Sequence, residues 1–215
     1  MQFTTWLTFF FAACVIAVSP GSGAVLSMSH GLNYGVKKAS GTIMGLQAGL
    51  LLILAIAGAG VGSLLMASEF AFSIVKTVGA LYLIYLGINQ WRARVDVVNE
   101  AETEQVTSTQ APAMSKRFLI GFLTNATNPK GIIFMVAVLP QFISHGAPLL
   151  PQLLILGVTM CAIDLVVMHG YAYAASSMQR YFRDPKWLKS QNRFFGGILM
   201  AIGTALFFVK RSPAN

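Results

Sequence analysis

The chain has 215 residues, of which 55% are hydrophobic and only 10% are charged, a composition too apolar for an ordinary soluble domain. Its net charge of +8 would suit nucleic-acid binding, but the basic residues lie in the connections between apolar stretches rather than in one patch. Composition and charge therefore exclude a soluble nucleic-acid-binding protein and predict a membrane protein.

Six apolar stretches are long enough to cross a hydrocarbon layer about 30 Å thick as helices. In chain order they are Phe3–Met28, Ala39–Met66, Phe70–Ile88, Phe118–Leu139, Pro151–Ala175 and Phe194–Val209. The last stretch is short, so Arg193 and Lys210 are expected to anchor its two ends at the membrane surfaces. No Lys or Arg precedes the first stretch, which favours a membrane helix over a signal peptide.

Basic residues are unequally divided between alternate connections. The connections after the first, third and fifth stretches hold eleven of them: Lys37, Lys38, Arg92, Arg94, Lys116, Arg117, Arg180, Arg183, Lys186, Lys189 and Arg193. The opposite side holds three: Lys76, Lys210 and Arg211. Because cytoplasmic loops carry an excess of Lys and Arg, the eleven are predicted to lie in the cytoplasm, with both chain termini outside.

The polar segment Trp91–Ser115, rich in Glu, Ser and Thr, is predicted to be a cytoplasmic linker. It separates a first three-helix unit, residues 1–90, from a second, residues 116–215. An odd number of helices in each unit gives the second unit the opposite orientation, the inverted-repeat plan of many secondary transporters. The predicted fold is therefore an all-α membrane protein with six transmembrane helices in two inverted three-helix repeats, the first helix of each repeat being broken.

A shift of 109 residues supports the repeat, because it aligns a proline in the first helix of each half. Ser19–Gly21 then lies over Asn128–Lys130, and Gly87 lies over Gly196. Proline removes a backbone donor and disfavours helix at the preceding residue, so both helices are predicted to break at these positions. The alternative is a pair of ordinary proline kinks, which membrane helices tolerate.

Polar and backbone groups at the two breaks are the candidate contacts for a small solute. The N-terminus of a half-helix favours a carboxylate, and the carbonyls at a half-helix C-terminus favour an ammonium group. The candidates are Ser19, Pro20, Gly21, Ser22, Asn125, Asn128, Pro129 and Lys130.

Asp164 is an aspartate in the middle of an apolar stretch. A carboxylate at that depth costs roughly 2.5–3.5 kcal/mol, and it usually faces a protein interior or a water path. Lys130 lies at a similar predicted depth, so the two residues are expected either to pair or to share a polar cavity. Tyr171 falls on the same helical stripe as Asp164 and belongs either to that site or to the interfacial aromatic belt.

Gly41, Gly45 and Gly49 form small-xxx-small repeats, which predict close packing against another helix. Gln47 faces roughly opposite this strip and is a candidate for either interhelical packing or substrate contact. The sequence contains no recognisable catalytic triad, nucleotide-binding loop or metal cluster. The chain is therefore expected not to be an enzyme and to need no cofactor, and uphill transport would have to use an ion gradient.

Five motifs occur in register along nearly the whole chain. They are Ser-Pro-Gly-Ser-Gly at 19–23, Gly-Leu-Gln-Ala-Gly at 45–49, Lys-Thr-Val-Gly-Ala-Leu-Tyr-Leu-Ile-Tyr-Leu-Gly at 76–87, Asn-Ala-Thr-Asn-Pro-Lys at 125–130 and Pro-Gln-Phe at 140–142. Together they resemble the LysE/RhtB family of amino-acid exporters. Many members have Pro-Gly-Pro in the first motif, and the Pro-Gly-Ser of this chain is similar to the branch that exports homoserine and homoserine lactone. The resemblance implies a bacterial inner-membrane exporter that uses the proton motive force.

Homoserine is a zwitterion, whereas its lactone has no free carboxylate, so a carrier of both would recognise mainly the ammonium group. Asp164 is the expected partner of that group and the candidate for proton coupling, while amides at the breaks or Lys130 would meet the carboxylate. Threonine is a further candidate substrate.

The expected partners are thus a small amino acid, protons and the lipid bilayer. The oligomeric state is left open, a homo-oligomer included. Two other classes are alternatives to an exporter: a passive channel or structural membrane subunit, and a thiol-redox carrier that uses Cys14 and Cys161.

Overall fold

A computed structural model describes residues 1–66, 69–92, 111–144, 146–177 and 185–208. Within these ranges the regular elements are helices, with no strand. In chain order they are α1 (Phe3–Val18), α2 (Ser22–Tyr34), α3 (Val36–Met66), α4 (Glu69–Arg92), α5 (Met114–Ala126), α6 (Pro129–Val138), α7 (Leu149–Ser177) and α8 (Pro185–Phe208). A 3₁₀ turn, Leu139–Phe142, follows α6. The predicted all-helical class is confirmed.

Among the described residues, two single helices are long and apolar enough to cross a membrane: α3, through Val36–Gly60, and α7. The pair α1 and α2 would be a third span, bent by 55° at the break between them. The other predicted stretches also form helices, but their crossing of a membrane stays a prediction. Most of the predicted linker, residues 93–110, lies outside the described residues.

The predicted start of the last helix is wrong. Helix α8 begins at Pro185 and has 24 residues, so it starts nine positions before Phe194. Its first nine residues include Lys186, Lys189 and Arg193, and a search for apolar stretches does not detect such a polar sequence as part of a membrane helix. The polar residues at its start do not lengthen the apolar part of the helix, so the anchoring roles of Arg193 and Lys210 stay predictions.

Glycines let α3 and α5 approach to backbone contact. A Cβ atom at Gly45 would overlap the carbonyl oxygen of Phe118, and one at Gly121 would overlap that of Thr42. A Cβ at Gly49 would lie 2.6 Å from the Phe122 oxygen. The predicted packing role of the glycine strip is confirmed, with α5 as the partner helix.

A second close pair joins α4 and α8. A Cβ atom at Gly87 would lie 2.6 Å from the carbonyl oxygen of Gly196, and a Cβ at Gly196 would lie 2.6 Å from the oxygen of Gly87. The contact is reciprocal. One further position continues it, since a Cβ atom at Gly203 would lie 2.8 Å from the carbonyl oxygen of Ala80. Without side chains at these positions, the two backbones pack directly on each other.

Contacts between helix termini define the two ends of the bundle. At one end, Arg117 at the start of α5 donates to the carbonyl of Lys38, and Ser40 hydrogen-bonds His169 of α7 at 3.1 Å. At the other end, the rings of Phe9 and Phe142 lie 5.2 Å apart. The basic start of α3, with Lys37 and Lys38, therefore lies beside the basic start of α5.

Two apolar clusters occupy the interior. The larger contains, among others, Phe9, Leu50, Phe134, Leu139, Leu156 and Met160. The smaller contains Ala24, Ala39, Ile43, Leu46, Met168, Tyr171 and Ala172. Asp164 lies one helical turn from Met160 and one from Met168, so the polar centre of α7 falls between the two clusters.

The close pair α3–α5 can be tested with Gly121→Ala. The added methyl group would overlap the Thr42 carbonyl oxygen, and overpacking of this kind costs about 1–3 kcal/mol. We expect a lower unfolding temperature of the purified protein in detergent. Gly170→Ala in α7 is the matched control, since its Cβ has nothing within 4 Å. Equal unfolding temperatures for the two variants would contradict the close contact.

Candidate functional site

The first helix break opens the backbone hydrogen bonds of α1. Helix α1 ends at Val18, where the amide of Ser19 still donates to Val15 at 3.0 Å, and α2 begins at Ser22. Pro20 has no N–H group, so the carbonyl of Ile16, four residues earlier, loses its helical donor. Carbonyls in a membrane interior must find other donors within the protein.

Side chains from three other helices supply those donors. The Lys130 Nζ of α6 donates to the carbonyl oxygens of Ile16, at 3.1 Å, and Ser19, at 2.6 Å. The Tyr171 hydroxyl of α7 donates to the Val18 oxygen at 2.5 Å. On α4, Gln90 Nε2 donates to the oxygen of Pro20 at 3.3 Å. The first break is therefore stabilised by tertiary contacts.

The second break satisfies its backbone groups locally. Asn128 caps α6, its side-chain oxygen accepting from the amide of Lys130 at 3.1 Å, with Pro129 in the first turn. The amide of Asn128 donates to the carbonyl of Asn125 at 2.9 Å, and Thr127 Oγ1 donates to Leu123 at 2.7 Å. Asn and Thr have the short polar side chains that make such local bonds.

Asp164 is buried, with 9% of its surface exposed. Its Oδ2 accepts a hydrogen bond from Gln47 Nε2 of α3 at 2.7 Å. The other amide atom, Gln47 Oε1, is buried and has no hydrogen-bond partner. Gln47 thus joins α3 to α7 at the carboxylate, which is the interhelical role of the two that the sequence leaves open, and its contact with a substrate stays a prediction.

One cavity brings the two breaks and Asp164 together. Of the predicted site residues it is lined by Ser19, Gly21, Asn125, Asn128, Lys130 and Asp164. Its volume is about 50 Å³, and since roughly 10–15 Å³ holds one water molecule, it has room for a few waters. Binding of a whole amino acid therefore requires the walls to move.

The remaining predicted residues do not line this cavity, although most are neighbours in the chain of residues that do. Pro20 and Pro129 form the breaks, and Ser22 is the first residue of α2. Tyr171 is buried and bonds to the first break, so it is not a residue of an exposed interfacial belt, and its place in the site stays a prediction.

Lys130 and Asp164 share the cavity but make no ion pair within 4 Å of each other. The Lys130 ammonium bonds to carbonyls, and the carboxylate bonds to Gln47. Of the two expectations for these residues, the shared cavity is confirmed.

Sequence reasoning missed three residues of the site. Gln90 bonds to two residues of the first break. Its Nε2 donates to the Pro20 carbonyl, and its Oε1 accepts from the Ser19 hydroxyl at 3.3 Å. It lies two positions beyond a predicted apolar stretch, where an amide is ordinary. Met160 and Met168 line the cavity on either side of Asp164. Their spacing of four residues places them on the helical stripe of Asp164, but from sequence such apolar side chains are expected to pack or to face lipid.

The cavity presents opposite charges and open backbone groups within an apolar wall. Asp164 offers an acceptor for a cation, and Lys130 offers an ammonium group. The N-terminus of α2 begins beside Gly21 and Gly23, which both line the cavity. Helix N-termini favour anions, so the arrangement suits a small zwitterion with a short side chain.

Comparison with known proteins gives a family match over most of the chain. The family model of the LysE type translocator matches residues 14–209. A membrane protein of Vibrio cholerae is 40% identical over 98% of this chain and all of its own length. The homoserine/homoserine lactone efflux protein of Salmonella typhi is 39% identical over 96% of this chain and 97% of its own.

A more distant relative, the leucine efflux protein of an Enterobacter species, is 28% identical over 89% of each chain. No solved structure matches the chain significantly.

The contact between α7 and the first break can be tested with Tyr171→Phe. The change removes the hydroxyl that donates to Val18 and leaves that carbonyl without this donor. Interhelical bonds in membrane proteins contribute about 1 kcal/mol, so we expect a modest fall in the unfolding temperature. Tyr173→Phe on the same helix, 65% exposed, should have no effect. An equal fall in unfolding temperature for both variants would contradict the hydrogen bond between Tyr171 and Val18.

Proposed function

The chain belongs to the family of LysE-type translocators, and we propose that it exports small neutral amino acids across a bacterial inner membrane in exchange for protons. The observation that carries this proposal is the cavity, in which a buried carboxylate and an ammonium group lie at two broken helices. The efflux activities in the names of two relatives, homoserine with its lactone and leucine, support the substrate class.

Homoserine, homoserine lactone and threonine are the proposed substrates. All three carry an ammonium group, which Asp164 would bind. Homoserine and threonine also carry a carboxylate, which Lys130 and the first amides of α2 would meet. The lactone lacks this group and would be held by its ammonium end alone. The small residues Gly21, Gly23 and Ala24 on the cavity wall leave space for such compact molecules.

Proton exchange follows from the cost of an unpaired carboxylate in an apolar interior. Asp164 would bind the ammonium of the substrate on the way out and a proton on the way back. The two ligands compete for one group, so each departure allows the other to bind. Competition of this kind is sufficient for antiport.

Six membrane spans in two inverted repeats, residues 1–90 and 116–215 joined by the linker 91–115, form the proposed architecture. Its support is that residues related by the 109-residue shift contact one another. The backbones of Gly87 and Gly196 meet reciprocally, and Gly21 lies against Lys130, with a Cβ placed 3.1 Å from Nζ. Equivalent residues meet in this way at a two-fold axis.

The carboxylate mechanism predicts the effect of Asp164→Asn. Asparagine keeps the shape and the contact with Gln47 but cannot bind a proton. We expect uphill export from proteoliposomes with an imposed proton gradient to fall to background, while exchange of labelled for unlabelled homoserine continues slowly. Asp164→Glu, which keeps a titratable group, should retain partial uphill export.

Full proton-driven export by Asp164→Asn would end the coupling hypothesis. Better transport by the double variant Asp164→Asn with Lys130→Met than by either single variant would instead indicate that the two charges only stabilise the fold. Wild-type efflux that continues uphill after the proton gradient is collapsed would rule out proton exchange.

The proposed sidedness can be tested by cysteine labelling in a Cys-free background. The excess of basic residues predicts that position 104 in the linker is cytoplasmic and that Asn215 is outside. In intact spheroplasts an impermeant thiol reagent should label a cysteine at 215 and not one at 104. The reverse labelling pattern would refute this orientation.

A further inference from the structure

The ammonium group of Lys130 takes the place of a missing backbone donor. In an uninterrupted helix the amide of residue 20 would donate to the carbonyl of Ile16, but residue 20 is a proline. Lys130 Nζ donates to that carbonyl at 3.1 Å and to the carbonyl of Ser19 at 2.6 Å. A side chain from the second break thus completes the last turn of α1.

These two carbonyls have the properties of a cation site. They lie at the C-terminal end of α1, where the helix dipole places partial negative charge. Gly21 makes room for the ligand, since a Cβ there would lie 3.1 Å from Nζ and 3.2 Å from Cε of Lys130. Ile16, Ser19 and Gly21 all line the cavity, so the site is connected to the interior space.

We propose that the carbonyls of Ile16 and Ser19 form a binding site for a primary ammonium ion, which Lys130 fills as a tethered ligand. An ammonium group carries three N–H donors, and the two carbonyl bonds use two of them. Selective sites for bare inorganic cations need rings of carbonyls that replace the hydration shell, and two oxygens are too few. With the lysine side chain shortened, a small free alkylammonium ion binds in its place.

The test uses Lys130→Ala with methylammonium as the probe. Alanine leaves the space of the lysine head group empty, and methylammonium supplies the charge and the N–H donors. We expect Lys130→Ala to unfold at a lower temperature than the wild type, and methylammonium chloride to raise that temperature in a saturable manner. Tetramethylammonium chloride at equal concentration has the same charge but no N–H donor, and should not raise it.

Two further variants serve as controls. Lys130→Met fills the space with an uncharged chain of similar length, so it should not respond to methylammonium. Lys116→Ala, at an exposed position in the first turn of α5, should behave as the wild type and show no response. An equal response of Lys130→Ala to both ammonium ions, or an equal response of Lys130→Met, would overturn the proposal.

Export by Lys130→Ala gives a second readout, and it alone depends on the proposed function. Methylammonium, and not tetramethylammonium, should restore part of the homoserine efflux lost by this variant. Binding shown by thermal stability without recovery of efflux would leave the ammonium site standing and place the fault with the proposed transport role.

A variant that keeps Lys130 covers the case in which Lys130→Ala does not fold. Gly21→Ala adds a methyl group at 3.1 Å from the Lys130 ammonium and should lower the unfolding temperature. Gly23→Ala meets only the flexible side chains of Leu46, at 3.4 Å, and Met168, and should lower it less. An equal fall in unfolding temperature for the two glycine variants would contradict the close contact between Gly21 and the Lys130 ammonium group.

Discussion

The structure depends on the carbonyl groups that Pro20 leaves without helical donors inside an apolar bundle. Each must be bonded within the protein, because hydrocarbon supplies no donors. Lys130, Tyr171 and Gln90 provide them from α6, α7 and α4. One break in one helix thereby orients three others, and the cavity forms where their polar side chains converge. The polar site forms because the carbonyl groups at the break need hydrogen-bond donors from other helices.

The two breaks solve the same problem in different ways. Asn128 and Thr127 close the second break with their own side chains, so its shape is set by the local sequence. The first break consists of Ser, Pro and Gly residues, and most of its carbonyl donors come from distant helices. The first break is therefore held by bonds to other helices, whereas the second is closed by its own residues.

Close backbone packing joins two pairs of helices in the bundle. Glycines join α3 to α5 and α4 to α8 without intervening side chains, and such contacts allow little change in distance. Between these pairs, Asp164 lies between two apolar clusters and is bonded to α3 through Gln47. A rigid frame around a small polar cavity can hold a charged group at a depth where water is scarce.

The sequence by itself determined the helical class, both helix breaks and the residues that carry charge into the apolar interior. Proline geometry and the cost of a buried Asp or Lys depend on single residues, so both can be recognised from the sequence alone. The tertiary structure decided the partners: Lys130 with carbonyls rather than Asp164, Tyr171 with Val18, and Gln90 at the break. It also set the start of α8, whose polar first turns lack the apolar pattern. Partner choice depends on which helices pack together, and bonds between residues more than a hundred positions apart leave no local signal in the sequence.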